Sequence, residues 1–275
     1  MKSVRKYVLL LGALASSLLC ACTSGAGAAK PLPVSFSRMT AEEKSVLECD
    51  PKKPELNISV DLRYAADPAK PVACEAINRE ILKTALVPIG EKTTVRIGPD
   101  FVRSVQDYIA EEVKSYQDAW TEIYNDWGHS FGSENRIALR GNTRGIVGST
   151  IIYSLELDRD TGGAHPIHFK YFFNFDGENG KRLTLADLFK PGYEKELTEL
   201  LTRRAMTLEN VSLKSKLSCE PAPTENFIVE SDGILFYFNP YDIAPYSRGP
   251  ISLKLRYGEL SRILKGTVPS AVTGN

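Results

Sequence analysis

The chain has 275 residues, with 34 Lys and Arg balanced by 34 Asp and Glu. That length suffices for a sizeable core and one or two domains. No basic block stands out, which argues against a nucleic-acid partner, and past residue 19 no apolar run approaches the roughly 20 residues needed to cross a bilayer.

The first thirty residues read as an export signal. Lys2, Arg5 and Lys6 precede an apolar run from Tyr7 to Leu19, the size of a signal-peptide core. Leu19-Cys20-Ala21-Cys22 resembles the lipobox of bacterial lipoproteins, in which small residues precede the lipidated cysteine. Cys22 fits as the lipidation site; Cys20 fits worse because bulky Leu19 directly precedes it. The expected boundaries are a signal peptide over 1–21 and a lipidated N-terminus with a tether over 22–44. An N-terminal α+β region over 45–149, a C-terminal domain over 150–265 and a tail over 266–275 follow. Cleavage removes three of the 34 basic residues and leaves 31 against 34 acidic ones. Acyl chains supply about 0.8 kcal/mol per buried CH₂, so more than one makes anchoring stable. The expected location is the cell envelope. Thr23 is not the aspartate of the common inner-membrane retention signal, so the outer membrane is favoured in a two-membrane host.

After processing, Cys49, Cys74 and Cys219 remain. A Cys49–Cys74 disulfide would staple the start of the body to a following helix. It would close a loop of about 25 residues, worth on the order of 3 kcal/mol. Three cysteines permit three pairings, and sequence does not choose among them.

Along the body, Thr40-Ala41-Glu42-Glu43 reads as a capping box opening a helical turn into Val46 and Leu47. Asn57–Tyr64 alternates like a half-buried strand. Ala73–Val87 and Phe101–Trp127 carry apolar residues every three or four positions and are predicted helices. Pro99 suits a first turn and Gly128 a C-terminal stop. The stripe from Val102 to Trp127 is predicted to be core packing. Strands follow at Arg136–Arg140, Ile146–Asp158 and Ile167–Phe175, with a tight turn at Asp176-Gly177 and Asn179-Gly180. Thr184–Phe189 is a capped turn, and Tyr193–Leu208 an amphipathic helix with Leu197, Leu200, Leu201 and Met206 facing in. Phe227–Val229 and Ile234–Asn239 form a hairpin around Ser231-Asp232-Gly233. Ile251–Tyr257 is a further strand and Gly258–Leu264 a closing helix. The pattern predicts α+β architecture, with mainly antiparallel sheets and helices packed on one side.

Several blocks of the second half recur together in a known family. They are Gly162-Gly163-Ala164-His165-Pro166, Phe172-Phe173-Asn174-Phe175-Asp176 leading into Gly180-Lys181-Arg182-Leu183-Thr184-Leu185-Ala186-Asp187-Leu188-Phe189, and Gly233 through Gly249 with Tyr257-Gly258-Glu259-Leu260. In this order they resemble the RsiV-like extracytoplasmic domain, shared by lysozyme-sensing anti-sigma factors and some peptidoglycan deacetylases. The resemblance covers roughly residues 150–265. It implies a compact α+β body that binds a protein ligand, lysozyme in the best-known member. The sequence shows neither a sigma-binding segment with a spanning helix nor a metal-dependent deacetylase domain. A binding module, not transmembrane signalling or deacetylation, is therefore what carries over.

Candidate site residues follow from that frame. Tyr241, Pro245 and Tyr246 lie in a segment stiffened by Pro240 and Pro245, and rigid amphipathic aromatics suit a protein-contact surface. The competing reading is that both tyrosines pack down and fix a long crossover between strands. His165 and His168, three apart on an extended segment, face opposite ways and do not make a metal site. Ser130, Ser149, Ser154 and Ser247 lack a Gly-x-Ser-x-Gly setting, and Glu42-Glu43 and Glu111-Glu112 suit solvated helix faces. No catalytic residue, metal or cofactor is expected. The alternatives are a hydrolase acting on envelope polymers and a structural component of an envelope assembly.

Overall fold

The computed structural model describes residues 32–86, 97–130, 134–207 and 217–266. The expected signal peptide, Cys22, the tether as far as Pro31 and the tail beyond Gly266 lie outside the described residues. The rest of the expected tether is corrected, because residues 36–44 pair into a sheet as part of the first strand of the body.

Two strands open the body, β1 (Phe36–Val46) and β2 (Glu55–Ala65), followed by helices α1 (Pro71–Ala85) and α2 (Phe101–Trp127). Three more strands follow: β3 (Asn135–Val147), β4 (Thr150–Asp160) and β5 (Ile167–Asp176). Together the strands form a five-stranded sheet in chain order, β1-β2-β3-β4-β5. Every pair is antiparallel except β2–β3, which is parallel because α1 and α2 carry the chain back across the sheet. Leu56, Ile58, Val60 and Leu62 on β2, with Ile137 and Leu139 on β3, give the sheet one apolar face. Ile77, Ile81, Val105 and Tyr108 of the helices cover it.

The chain then builds a second layer from α3 (Leu185–Leu188), α4 (Glu194–Thr207), β6 (Phe227–Val229), β7 (Gly233–Phe238), β8 (Ile251–Arg256) and α5 (Tyr257–Leu260). β6-β7-β8 form an antiparallel sheet. Its apolar face, with Phe227, Phe236, Leu253 and Leu255, packs with Leu197 and Leu201 of α4. Residues facing the other way in both sheets, Ile152, Phe172 and Ile228, form one small cluster with Leu235 and Tyr237. That joins the helix-free faces of the two sheets. The expected division at residue 149 falls in the β3–β4 turn, where Val147 pairs with Thr150. The hydrophobic cores instead change hands between Phe175 and Leu185.

Asparagine side chains make the seam between the sheets. Asn174 on β5 donates through Nδ2 to Phe227 O at 2.8 Å, and its Oδ1 accepts from Val229 N–H at 2.9 Å. Asn226 accepts from Phe172 N–H at 2.8 Å and donates to Lys170 O at 2.8 Å. Asn239 accepts from Lys170 N–H at 2.7 Å. Asn174 and Asn226 each both donate and accept, as a peptide unit would. Asn226 and Asn239 satisfy groups on the edge of β5 and Asn174 satisfies those of β6, without a full ladder. At Gly141 a Cβ would collide with Tyr153 Oη. Glycine there lets Tyr153 reach across β3 and donate to Arg63 O at 2.8 Å.

Several expectations are corrected. Thr40-Ala41-Glu42-Glu43 lies inside β1, because eleven residues there pair with β2 and the ladder outweighs a local cap. β3 continues unbroken to Val147 through a bulge between Thr143 and Gly145. Pro99 precedes the N-cap of α2; the cap is Asp100, whose Oδ1 accepts from Arg103 N–H at 3.0 Å, and Gly128 at φ 72° closes the helix. The α2 stripe is buried as far as Tyr116, but Trp127 is 71% exposed, so the last turns are not core. Met206 is half-exposed on α4 rather than facing in.

The Cys49–Cys74 bridge does not form, and all three cysteines are free. Cys49 follows β1 beside the start of β2, with Sγ 3.9 Å from Thr121 Oγ1. Cys74 lies past the far end of β2, where its Sγ accepts from Asp67 N–H at 3.1 Å. An eleven-residue strand of about 35 Å separates these ends, against under 7 Å between the Cα atoms of a disulfide.

Candidate functional site

The segment from Asn239 to Gly249 connects β7 to β8 and is held from beneath. Asn239 N–H donates to Asp242 Oδ2 at 2.7 Å and Asp242 N–H to Asn239 O at 3.1 Å. Ser218 N–H donates to Ile243 O at 2.8 Å, while Ile243 and Ala244 are buried in the C-terminal core. Pro245 leads into one 3₁₀ turn, Tyr246–Arg248, closed by Gly249 at φ 71°. Partial burial pushes the Asp242 carboxyl above its ordinary value, against the pull of Asn239 N–H.

On this floor Tyr241 is lifted out. It is 62% exposed, and its backbone sits in the left-handed region at φ 75°, which non-glycine residues rarely adopt. Tyr241 N–H donates to Ala244 O at 3.1 Å, which fixes that turn. The Tyr241 ring lies 5.6 Å from that of Tyr246, and Tyr246 stacks on His165 at 4.7 Å with the planes 6° apart. His165 comes from the Gly162–Pro166 turn between β4 and β5. Three aromatic rings from two loops therefore form one surface platform. Neither tyrosine hydroxyl has a hydrogen-bond partner among the described residues, so the packed-down reading of Tyr241 does not hold. Pro245 is exposed beside the platform.

Beside it, the helix-free face of β3–β5 carries a ladder of charges. Lys170 pairs with Glu156 at 2.7 Å, Arg140 with Asp158, and His168 Nδ1 lies 2.6 Å from Asp158 Oδ1. Burial pushes the Asp158 carboxyl up, but His168 and Arg140 overcome it and hold it below the usual range. Lys170 and Arg144 also approach the Phe172 ring, at 5.5 and 6.0 Å from its centroid. His165 and His168 thus have separate partners, and no group of three metal-ligating side chains occurs among the described residues. Chemically, the platform offers flat apolar contact with hydroxyls at its edge, and the ladder offers charge.

Sequence reasoning singled out Tyr241, Pro245 and Tyr246, and the structure brings them together. It missed His165 as their stacking partner, and it missed the asparagine seam. A signal for the seam was present: Asn174 interrupts the aromatic run Phe172–Phe175, and a buried amide requires partners.

The arrangement defines a two-sheet α+β protein with a rigid aromatic loop at the sheet junction. Residues 186–258, which include that loop, match the family model described as a protein of unknown function, DUF3298. The fold is similar to the crystal structure of a DUF3298 family member from Bacteroides fragilis. The TM-score is 0.73 and the identity 25%, over 88% of this chain and 96% of that one. A DUF3298 family protein from Pseudomonas aeruginosa PAO1 has a TM-score of 0.57 at 19% identity, over 88% of this chain and 98% of its own. Among curated proteins, the immunogenic protein MPT64 of Mycobacterium tuberculosis and MPB64 of Mycobacterium bovis are each 27% identical over 106 residues. The match takes in 35% of this chain and 44% of theirs, so it spans less than half the length of those relatives. Among the described residues no helix is long and apolar enough to cross a membrane.

Proposed function

We propose that this protein is a cell-envelope lipoprotein, anchored through Cys22, whose body is a non-enzymatic module that binds another envelope protein. Lysozyme-type muramidases are the first ligands to test, because the RsiV-like resemblance points to them. The observation that carries the binding reading is Tyr241, a large aromatic held exposed on a strained backbone over a pinned loop. Strain of this kind persists where the surroundings impose it, and it clusters at functional sites. A pre-ordered Tyr241–Tyr246–His165 platform loses little entropy on contact, which suits a protein–protein hot spot. The signal-peptide pattern before Cys22 supports export and lipid anchoring.

Calorimetric titration of the purified chain with lysozymes tests the ligand. Binding weakened by more than about 1 kcal/mol in each of Tyr241→Ala and Tyr246→Ala supports the platform as the contact. Binding unaffected by both variants overturns it, and no binding at tens of micromolar removes lysozyme. Labelled palmitate entering the chain, and not its Cys22→Ser form, tests the anchor.

A further inference from the structure

We propose that the outer edge of β1 pairs antiparallel with β1 of a second copy of this chain, extending the five-stranded sheet across a two-fold axis. β1 is an eleven-residue edge strand whose one strand neighbour among the described residues is β2. Its register shows which groups are left over. Leu47 N–H donates to Pro54 O at 3.0 Å, and Ala66 N–H donates to Ser35 O at 2.9 Å, at the two ends of the ladder. Antiparallel pairs alternate, so odd-numbered residues between these ends turn their backbone groups toward β2. Arg38, Thr40, Glu42 and Lys44 turn theirs outward. The Val46 carbonyl follows the same rule, and Gln117 Nε2 caps it at 2.9 Å. Among the described residues the edge is therefore closed at one end and open over Arg38–Lys44, a length that would expose a row of unpaired polar groups.

The side chains select the occupant. A pairing centred on Thr40 sets Arg38 opposite the second copy's Glu42, and Glu42 opposite its Arg38. It also sets Met39 against Ala41 on the helix side. Centring on Ala41 would oppose Arg38 and Lys44, and centring on Glu42 or Glu43 would oppose like carboxylates. Only the Thr40 register among these joins opposite charges without a like-charge contact. The groups are available for it. Glu42 is exposed and has no ion-pair partner among the described residues, and Arg38 engages Asp61 through Nε and Nη2 while Nη1 remains uncommitted. Over that open stretch the pairing would exchange about six backbone hydrogen bonds.

Sedimentation of the purified chain across a concentration series tests this, with circular dichroism confirming that each variant is folded. The wild type should dimerise. Arg38→Glu and Glu42→Arg should each weaken the dimer at least about tenfold, since each opposes like charges twice. Mixing the two variants should restore a heterodimer, because every opposed pair is then complementary. Amide exchange of the wild type gives a readout independent of any variant. Arg38, Thr40 and Glu42 N–H should gain protection with concentration, while Met39, Ala41 and Glu43 N–H should not change. A chain monomeric at hundreds of micromolar overturns the proposal. So does a dimer indifferent to both reversals, or amide protection that does not depend on concentration.

Discussion

Asn174 and Asn226 face each other across the junction of the two sheets and make reciprocal connections. Asn174 reaches from β5 to the backbone on either side of Ile228, and Asn226 reaches back from the entrance of β6 to the backbone of Lys170 and Phe172. Asn174 is 1% exposed, so replacing it by Ala leaves Phe227 O and Val229 N–H buried without partners. Each such orphan costs about 1–3 kcal/mol. Asn174→Ala should therefore lose about 2–4 kcal/mol in urea unfolding. The Asn174→Ala, Asn226→Ala double variant should lose less than the sum of the singles, because the second change acts on a seam already open.

Arg159 and Glu112 tie the five-stranded sheet to α2 through a largely buried ion pair. The guanidinium on β4 donates to Glu112 of α2 at 2.8 and 3.1 Å, and both side chains are largely buried. Removing Glu112 takes both carboxylate oxygens away from a guanidinium that is largely buried beneath the helix. Glu112→Ala should destabilise by about 3 kcal/mol or more. Replacing both residues by apolar ones of similar volume should recover most of that loss, as thermal unfolding of the two variants would show.

What sequence revealed, and what it did not, follows from where each signal lives. The long period of Phe101–Trp127 fixes α2 to the residue, because capping by Asp100 and Gly128 is local. β1 was misread because its capping-box residues are also acceptable edge-strand residues, and only pairing with β2, a non-local event, decides between them. The β2–β3 parallel pair is hidden for the same reason. At the site, the stiff tyrosine-bearing loop was legible from its prolines. The stacking of His165 was not, since it depends on a turn more than seventy residues earlier folding beside that loop.

Acid should reveal the capped turn of α3. Partial burial pushes the Asp187 carboxyl up, but Lys181 and the Thr184 N–H and hydroxyl hold it down at about 2. That is below the roughly 3.9 of an unfolded chain. The stabilisation is therefore complete above about pH 4 and is lost as the pH falls through the folded value. Asp187→Asn should cost about 1–2 kcal/mol at neutral pH, discounted because Lys181 is exposed to solvent. The difference from wild type should shrink between about pH 4 and pH 2, measured by denaturant midpoints at each pH.

Tyr241 separates stability from recognition most cleanly. Its left-handed backbone costs about 1–2 kcal/mol relative to an ordinary conformation, a cost glycine does not carry. Because the side chain is mostly exposed, losing it removes little packing. Tyr241→Gly should therefore be more stable than Tyr241→Ala by about 1 kcal/mol, and equal to or above wild type after the entropy of a freer unfolded chain is offset. Both variants should lose ligand binding alike, because both lack the ring. Thermal unfolding and titration on the same preparations check the two halves. If Gly and Ala prove equally stable, the backbone at 241 is not strained; if binding follows stability instead of the ring, the platform is not the contact.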